Sequence, residues 1–451
     1  MSNSQQVFSE QFREADTAKI MRLVRAGESI SIVGATGVGK SNFCTQLLNV
    51  EIQKKHFGSD VASYLFVRVN FHQLPDFSIR SIYSLILEQL EAVYPQFSQL
   101  QDVAAKLGQI HNMLLDAGTD VVKVNYYFRL VINTLLAGNI TKIVFVFDHF
   151  RRVYQEAEPL FFTNLRGLRD MYKFRLSYVL STQDTLPNLA LMDSERSEFY
   201  ELVATNELGL APYQREDAEL LLERISARYQ FELSNDLVST LLKLTGGHAG
   251  LLRAALPKLV NLEVGRKKGV KKLVQMLIQE PSIQFECERT WDNLSREEQH
   301  YLYHATKNLH LEDQNQARKR LQLKGFLTST NKIFSPLFSA YVQDQGFSDR
   351  PPIELDEAGR VWVYGEICKF LSQIEYGIFK TLWEHRDKQE AVTKDELILT
   401  GWHHKGAKDI SDEALTQHIS RLRKKLEPDP EHPIFIITVP GVGYRLISNP
   451  E

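Results

Sequence analysis

Apolar positions along the chain fall into two kinds of segment. Short continuous runs, Ser29-Ile30-Ser31-Ile32-Val33, Tyr64-Leu65-Phe66-Val67-Arg68-Val69, Lys142-Ile143-Val144-Phe145-Val146-Phe147-Asp148 and Arg175 to Thr182, have the length and β-branched character of strands buried on both faces. Between them lie stretches of helical period: 10–25, with Phe12, Ala15, Ile20, Leu23 and Val24 on one face and Gly27 as its stop, and a long helical region from about Ser78 to Ala137. This alternation predicts a parallel sheet covered by helices, with its ligand at the carboxyl ends of the strands. After Leu210-Ala211-Pro212 the pattern turns wholly helical over 215–229, 234–244 and 250–260, the last two separated by Thr245-Gly246-Gly247-His248. Helices near 297–307 and 315–324, then two short strands at 325–328 and 332–335, predict a winged helix. The stiff, polar Asp349-Arg350-Pro351-Pro352 marks a boundary. The expected architecture is multidomain α/β plus α. It comprises a P-loop NTPase domain over 1–205, a helical lid over 206–280, a winged-helix domain over 281–346 and a winged helix-turn-helix domain over 352–449.

Composition narrows the function. At 451 residues, 43% hydrophobic and 24% charged, the chain has the make-up of a globular protein of about three domains. Its net charge of −3 means that any nucleic-acid contact must come from a local patch. Three cysteines without ligand spacing argue against a disulfide framework or zinc site and for a reducing, cytoplasmic setting. Met1 to Gln6 lacks a signal pattern, and no apolar run approaches the ~20 residues of a membrane span, so no membrane association is expected.

The octapeptide Gly34-Ala35-Thr36-Gly37-Val38-Gly39-Lys40-Ser41 fits G-x-x-x-x-G-K-[ST] and stands between a strand and the helix opened by Asn42. In that context backbone N–H groups converge on one point, and a phosphate chain belongs there. Lys40 is placed to reach the β- and γ-phosphates and Ser41 to ligate Mg²⁺. Asp148, at the end of an apolar strand, supplies the carboxylate that holds Mg²⁺ through its waters. His149 stands where an acidic residue usually orients the attacking water. General-base assistance is worth ~10²–10⁴-fold, so slow hydrolysis at most is expected.

Further on, Ala414 to Leu426 puts Leu415, Ile419, Leu422 and Leu426 on one stripe, leaving Gln417, His418, Arg421 and Lys425 for a groove. With Thr416, Arg423, Lys424, Tyr444 and Arg445 these are the candidate DNA contacts. Ile434 to Val439 and Gly443 to Leu446 frame a hairpin turning through Pro440-Gly441-Val442. Residues 353–447 nevertheless carry 13 Lys and Arg against 16 Asp and Glu, so the basic character is confined to 421–425 and Arg445.

Residues 353–447 resemble the winged helix-turn-helix domain of OmpR/PhoB-type response regulators, which implies DNA binding and transcriptional control. Residues 10–345 resemble STAND-class signalling ATPases, relatives of the AAA+ group. The resemblance is carried by the phosphate loop, Phe145-Val146-Phe147-Asp148, Leu180-Ser181-Thr182-Gln183, Leu210-Ala211-Pro212 and Thr245-Gly246-Gly247-His248-Ala249-Gly250-Leu251-Leu252. It implies that Thr182 or Gln183 senses the γ-phosphate and that Pro212 and His248 lie against the nucleotide, with His149 and Gln183 as the only candidates for a catalytic role. The chain departs from the pattern at Ala249, where many relatives have proline, and at His149. Together the resemblances imply an ATP/ADP- and Mg²⁺-dependent switch that self-associates and binds DNA, triggered by a protein or ligand. The alternative is a signalling or defence scaffold whose terminal module docks a protein.

Overall fold

In the computed structural model the chain divides into two compact units, Met1–Gln345 and Gly346–Glu451. The described residues are 9–93, 101–190, 193–261, 269–307, 316–328 and 330–345 in the first. In the second they are 352–356, 359–364, 366–368, 371–386, 388, 391–402 and 410–449. Of the expected break at 349–352, residues 349–351 lie outside them.

The first unit opens with α1 (Glu14–Ala26), stopped by Gly27 in the left-handed region, and β1 (Ile30–Val33). There follow α2 (Lys40–Gln46), α3 (Val50–Phe57), β2 (Tyr64–Asn70), α4 (Ile79–Val93), α5 (Gln101–Asp116), α6 (Val121–Leu136) and β3 (Lys142–Asp148). Then come α7 (Phe150–Glu156), α8 (Pro159–Tyr172), β4 (Leu176–Thr182), α9 (Leu186–Leu189), α10 (Ser194–Tyr200) and β5 (Glu207–Gly209). The expected helical region from 78 to 137 is thus divided: Asp120 caps α6 by accepting from the Lys123 N–H, which starts a new helix there.

The five strands are parallel in the order β2-β3-β4-β1-β5. Their register aligns Asn70 with Asp148 and Val33 with both Thr182 and Gly209, so every strand's carboxyl end lies on one edge. Strand β5, not expected from the sequence, is three residues long and carries too little pattern to be read; pairing with β1 makes it a strand. Aromatic rings fill the core beneath the sheet, with Phe145, Phe147 and Tyr178 stacked on neighbouring strands and Phe150 and Phe199 against them.

A helical lid follows: α11 (Arg215–Tyr229), α12 (Asn235–Thr245) and α13 (Ala249–Asn261). After it run α14 (Val270–Leu277), α15 (Pro281–Trp291), α16 (Arg296–Thr306), α17 (Gln316–Leu323) and α18 (Pro336–Asp344). Of the two strands expected at 325–328 and 332–335, the described residues show one antiparallel bridge, Leu327 with Ile333. Ser335 already caps α18 through the Phe338 N–H, so the chain turns before a second strand can extend. The α17 end packs tightly on the sheet edge: a Cβ at Gly209 would fall on the carbonyl oxygen of Leu323.

The second unit begins with an antiparallel sheet of β6 (Ile353–Leu355), β7 (Val361–Val363) and β8 (Glu366–Ile367). Then come α19 (Gln373–Glu384), β9 (Val392–Thr393), α20 (Lys394–Gly401), α21 (Asp412–Leu426) and the hairpin β10 (Ile436–Val439) and β11 (Gly443–Leu446), in sheet order β10-β11-β9. Leu415, Ile419, Leu422 and Leu426 are buried as their spacing predicts, against Ile378, Phe379 and Leu382 of α19. Among the described residues no helix is long and apolar enough to cross a membrane.

Candidate nucleotide site and recognition helix

The phosphate loop connects β1 to α2 at the carboxyl edge of the sheet, with Gly37 (φ 80°) and Gly39 (φ 101°) in the left-handed region that an L side chain resists. Lys40 Nζ donates to the loop's own carbonyls at Gly34 (2.7 Å) and Ala35 (2.8 Å). Burial pushes its ammonium down to about 8, with Asp148 as the largest opposing influence. Ser41 Oγ donates to Asp148 Oδ1 (3.3 Å) and stands 3.1 Å from His149 Nε2. Asp148 is fully buried, and its other oxygen accepts from Arg68 at 2.6 Å. His149 takes a left-handed backbone (φ 59°) beside His72, ring centroids 3.7 Å apart, and burial lowers its pKa.

The residues here fit a phosphate chain with a divalent cation. The Thr36 hydroxyl and the Gln183 amide oxygen are buried without a hydrogen-bond partner among the described residues, and Ser41 and Asp148 present oxygens side by side. Thr182 itself faces inward, donating from Oγ1 to the Asp184 carbonyl (2.7 Å). Asn42 is half-buried in the first turn of α2. Pro212 packs where a Cβ at Gly325 would meet its ring.

His248 bridges the lid to the loop. Its Nδ1 accepts from the Leu251 N–H (3.3 Å), which leaves Nε2–H to donate to the Thr36 carbonyl (2.8 Å). Its burial is complete and lowers its pKa to about 4, so the ring is neutral. The Gly250 N–H donates to the Gly37 carbonyl (3.0 Å), a second lid-to-loop bond.

Several residues of this site went unread in the sequence. Arg13, buried, donates to the Ala211 carbonyl (2.7 Å), lies over the Tyr213 ring (4.8 Å) and gives its backbone N–H to Asp217 (2.8 Å). It thereby ties the start of α1 to the lid. Arg289 and Glu286, paired at 2.7 Å on α15, lie within van der Waals reach of a Cβ at Gly37. Lys324, 1% exposed at its side chain, meets Asp184 at 2.5 Å and Glu298 at 2.7 Å and 2.9 Å. Only Glu298 left a trace in the sequence, as the fourth member of the capping box that starts at Ser295.

In the second unit α21 divides the candidate contacts. Thr416, Gln417, Arg421, Lys424 and Lys425 are exposed. Arg423 instead reaches across to β10, donating to the Ile436 carbonyl (2.7 Å) and to Thr438 Oγ1 (2.8 Å). Lys425 pairs with the buried Glu375 of α19 (2.6 Å), and His418 stacks edge-on against Trp402. Tyr444 is buried in β11 and Arg445 is next to it, paired in register with Ile437. Glu427 fixes the start of the hairpin by accepting from the Ile434, Phe435 and Ile436 N–H groups (2.8, 2.9 and 2.6 Å).

Known proteins similar to the chain divide along the same line. The transcriptional regulatory protein YvrH of Bacillus subtilis is 40% identical over 60 residues, 13% of this chain and 24% of that protein. The sensory transduction protein RegX3 of Mycolicibacterium smegmatis is 34% identical over 105 residues, 23% of this chain and 43% of that protein. The chain therefore spans less than half the length of these curated relatives. Among solved structures, the Walker-type ATPase PABY2304 of Pyrococcus abyssi gives a TM-score of 0.44 at 14% identity, covering 73% of this chain and 95% of that one. The Aeropyrum pernix ORC2 protein gives 0.44 at 13% identity, covering 76% and 97%. The phosphate loop on a parallel sheet of order β2-β3-β4-β1-β5 gives the first unit the parallel-sheet α/β fold of a P-loop NTPase core. Residues 369–446 match the family model described as "Transcriptional regulatory protein, C terminal", so that fold is followed by a winged-helix domain of the transcriptional-regulator, DNA-binding type.

Proposed function

We propose that the protein is a nucleotide-switched DNA-binding regulator of the STAND type, in which ATP or ADP with Mg²⁺ on the loop 34–41 governs self-association. The observation that carries this reading is the buried ion cluster of Asp184, Glu298 and Lys324. Asp184 lies two residues beyond Thr182, at the strand end facing the phosphate loop, while Glu298 and Lys324 belong to α16 and the turn after α17. A shift of the 182–184 segment on binding a γ-phosphate is therefore transmitted to the helices that close over the sheet. His248 and Gly250 of the lid hold the same loop from the other side. A ligand that alters these contacts shifts the closed and open populations by as much as it binds them differently.

Lys40 and the loop N–H groups would bind the phosphates, and Ser41 and Asp148 would hold Mg²⁺, which supplies charge neutralisation between phosphate oxygens. Gln183, with its buried amide oxygen, is the candidate to read the γ-phosphate. His149, standing in place of an acidic residue after Asp148, supports a switch that hydrolyses slowly. On the DNA side Arg421, Lys424 and the Glu375-paired Lys425 are the exposed cations of α21, with Thr416 and Gln417 beside them. If about four phosphates are neutralised per module, the salt slope is about −3.6, and one module binds weakly. Several modules joined by self-association bind well, because the second contact becomes intramolecular.

The test is Lys40→Ala in the full chain. Nucleotide binding and nucleotide-dependent assembly, read by calorimetry and light scattering, are expected to disappear. The 346–451 unit is expected to keep its DNA affinity. Equal assembly of the parent with and without nucleotide contradicts the proposal. A second reading, a scaffold whose terminal module docks a protein, is favoured by that module's acidic balance and by the engagement of Arg423 and Lys425 within the fold. Failure of 346–451 to shift DNA at low salt supports it.

A further inference from the structure

A cleft of about 390 Å³ opens between α11 and α13 and reaches Asn42, the residue after the metal-facing Ser41. Arg224 and Arg228 of α11 line it from one side, one helical turn apart, and Arg253 of α13 lines it from the other. None of the described residues lining it is acidic. Arg224 is half-buried, and burial lowers its pKa, which marks a guanidinium held partly out of water. The exposed Arg228 and Arg253 bring two like charges to one cleft, and an anion between them offsets their repulsion. Guanidinium forks match phosphate oxygens in geometry as well as charge.

The remaining lining fits a flat ring. Leu221 and Ile225 give an apolar wall on the same face of α11, and the Tyr229 ring, 65% exposed, stands at its end. Pro257, inside α13, has no N–H to give to the Arg253 carbonyl four residues earlier, so that acceptor is released from the helix ladder at the edge of the cleft. Asn42 adds a side-chain amide where a nucleotide would leave the loop.

We propose that this cleft receives the nucleoside end of a nucleotide held on the phosphate loop, and that Arg228 and Arg253 select a nucleotide carrying a second phosphate on the ribose. The inference rests on the nucleotide reading of the loop and extends it. The 5′-phosphate chain is already met by Lys40, the loop N–H groups and a cation, whereas base and ribose are neutral. A ribose phosphate supplies the charge that the arginines are arranged to meet.

Calorimetric titration of the full chain with ADP and with ADP bearing a 3′-phosphate tests it. The parent is expected to bind the 3′-phosphorylated form at least about tenfold more tightly, the scale of one or two charge-assisted hydrogen bonds. The preference is expected to shrink to within about twofold in Arg228→Gln/Arg253→Gln, whose replaced side chains are exposed, and to fall partway in Arg228→Gln alone, with thermal melting confirming the fold of each. Equal affinity of the parent for both nucleotides, or a preference that survives the double replacement, overturns the selection while leaving the loop's nucleotide binding intact. Binding of neither nucleotide overturns the loop reading and this one with it.

Discussion

Replacing Lys324 by methionine removes the one cation among the described residues that touches both Asp184 and Glu298. The ammonium lies 2.5 Å from Asp184 and 2.7 Å from Glu298, and Glu298 is fully buried. Arg320 Nε stays 3.7 Å from Glu298, so that carboxylate retains a nearby cation, while Asp184 keeps only neutral hydrogen bonds from the Thr185 N–H and Asn188 Nδ2 among the described residues. Breaking a buried ion pair by deleting one partner costs about 3–5 kcal/mol, because the remaining charge can neither leave nor be solvated. The lower value corresponds to more than a hundredfold in an opening equilibrium. Hydrogen exchange should therefore accelerate by about two orders of magnitude across α16 and α17, and urea unfolding followed by circular dichroism should show the loss of stability. The triple replacement Lys324→Met, Glu298→Gln and Asp184→Asn removes all three charges, and glutamine still serves as the last residue of the capping box. It is expected to be more stable than the single variant and to assemble without regard to nucleotide. A cost below about 1 kcal/mol for Lys324→Met, with unchanged exchange, would refute the claim that this cluster holds the closed arrangement.

His248 gives a pH signature. Its folded pKa of about 4 lies below the ordinary 6.5, with Arg289, Lys40 and Arg253 adding to the effect of burial, so the unfolded chain binds the extra proton first. Its contribution thus lowers stability progressively as pH falls from about 6.5 to about 4; His248→Asn is expected to show a shallower loss in that window, and parallel urea curves for the two proteins would contradict this. Arg421→Ala should leave stability within about 0.5 kcal/mol and reduce the salt slope of DNA binding by about 0.9. Arg423→Ala should instead destabilise the second unit by about 1–2 kcal/mol through its lost bonds to Ile436 and Thr438, read by thermal melting of 346–451; the opposite ranking would reverse their assigned roles.

What could be read from the chain alone is what local chemistry decides. The octapeptide at 34–41 declares itself because only glycine tolerates φ of 80° and 101°, and because a strand precedes it and a helix follows. Asp148 was legible as the end of an apolar run, and the stripe of Leu415, Ile419, Leu422 and Leu426 as a helical period. Tertiary structure alone decided which charged side chains are surface and which are machinery. Lys324 and Arg13 sit on segments that read as solvated, and they meet Asp184, Ala211 and Asp217 only when parts of the chain up to 204 residues apart come together. Periodicity reports burial of apolar groups, which repeats along an element. An ion pair is a single meeting between distant elements and leaves no period. The same reason separates Arg421, exposed, from Arg423 two residues on, whose direction is set by β10.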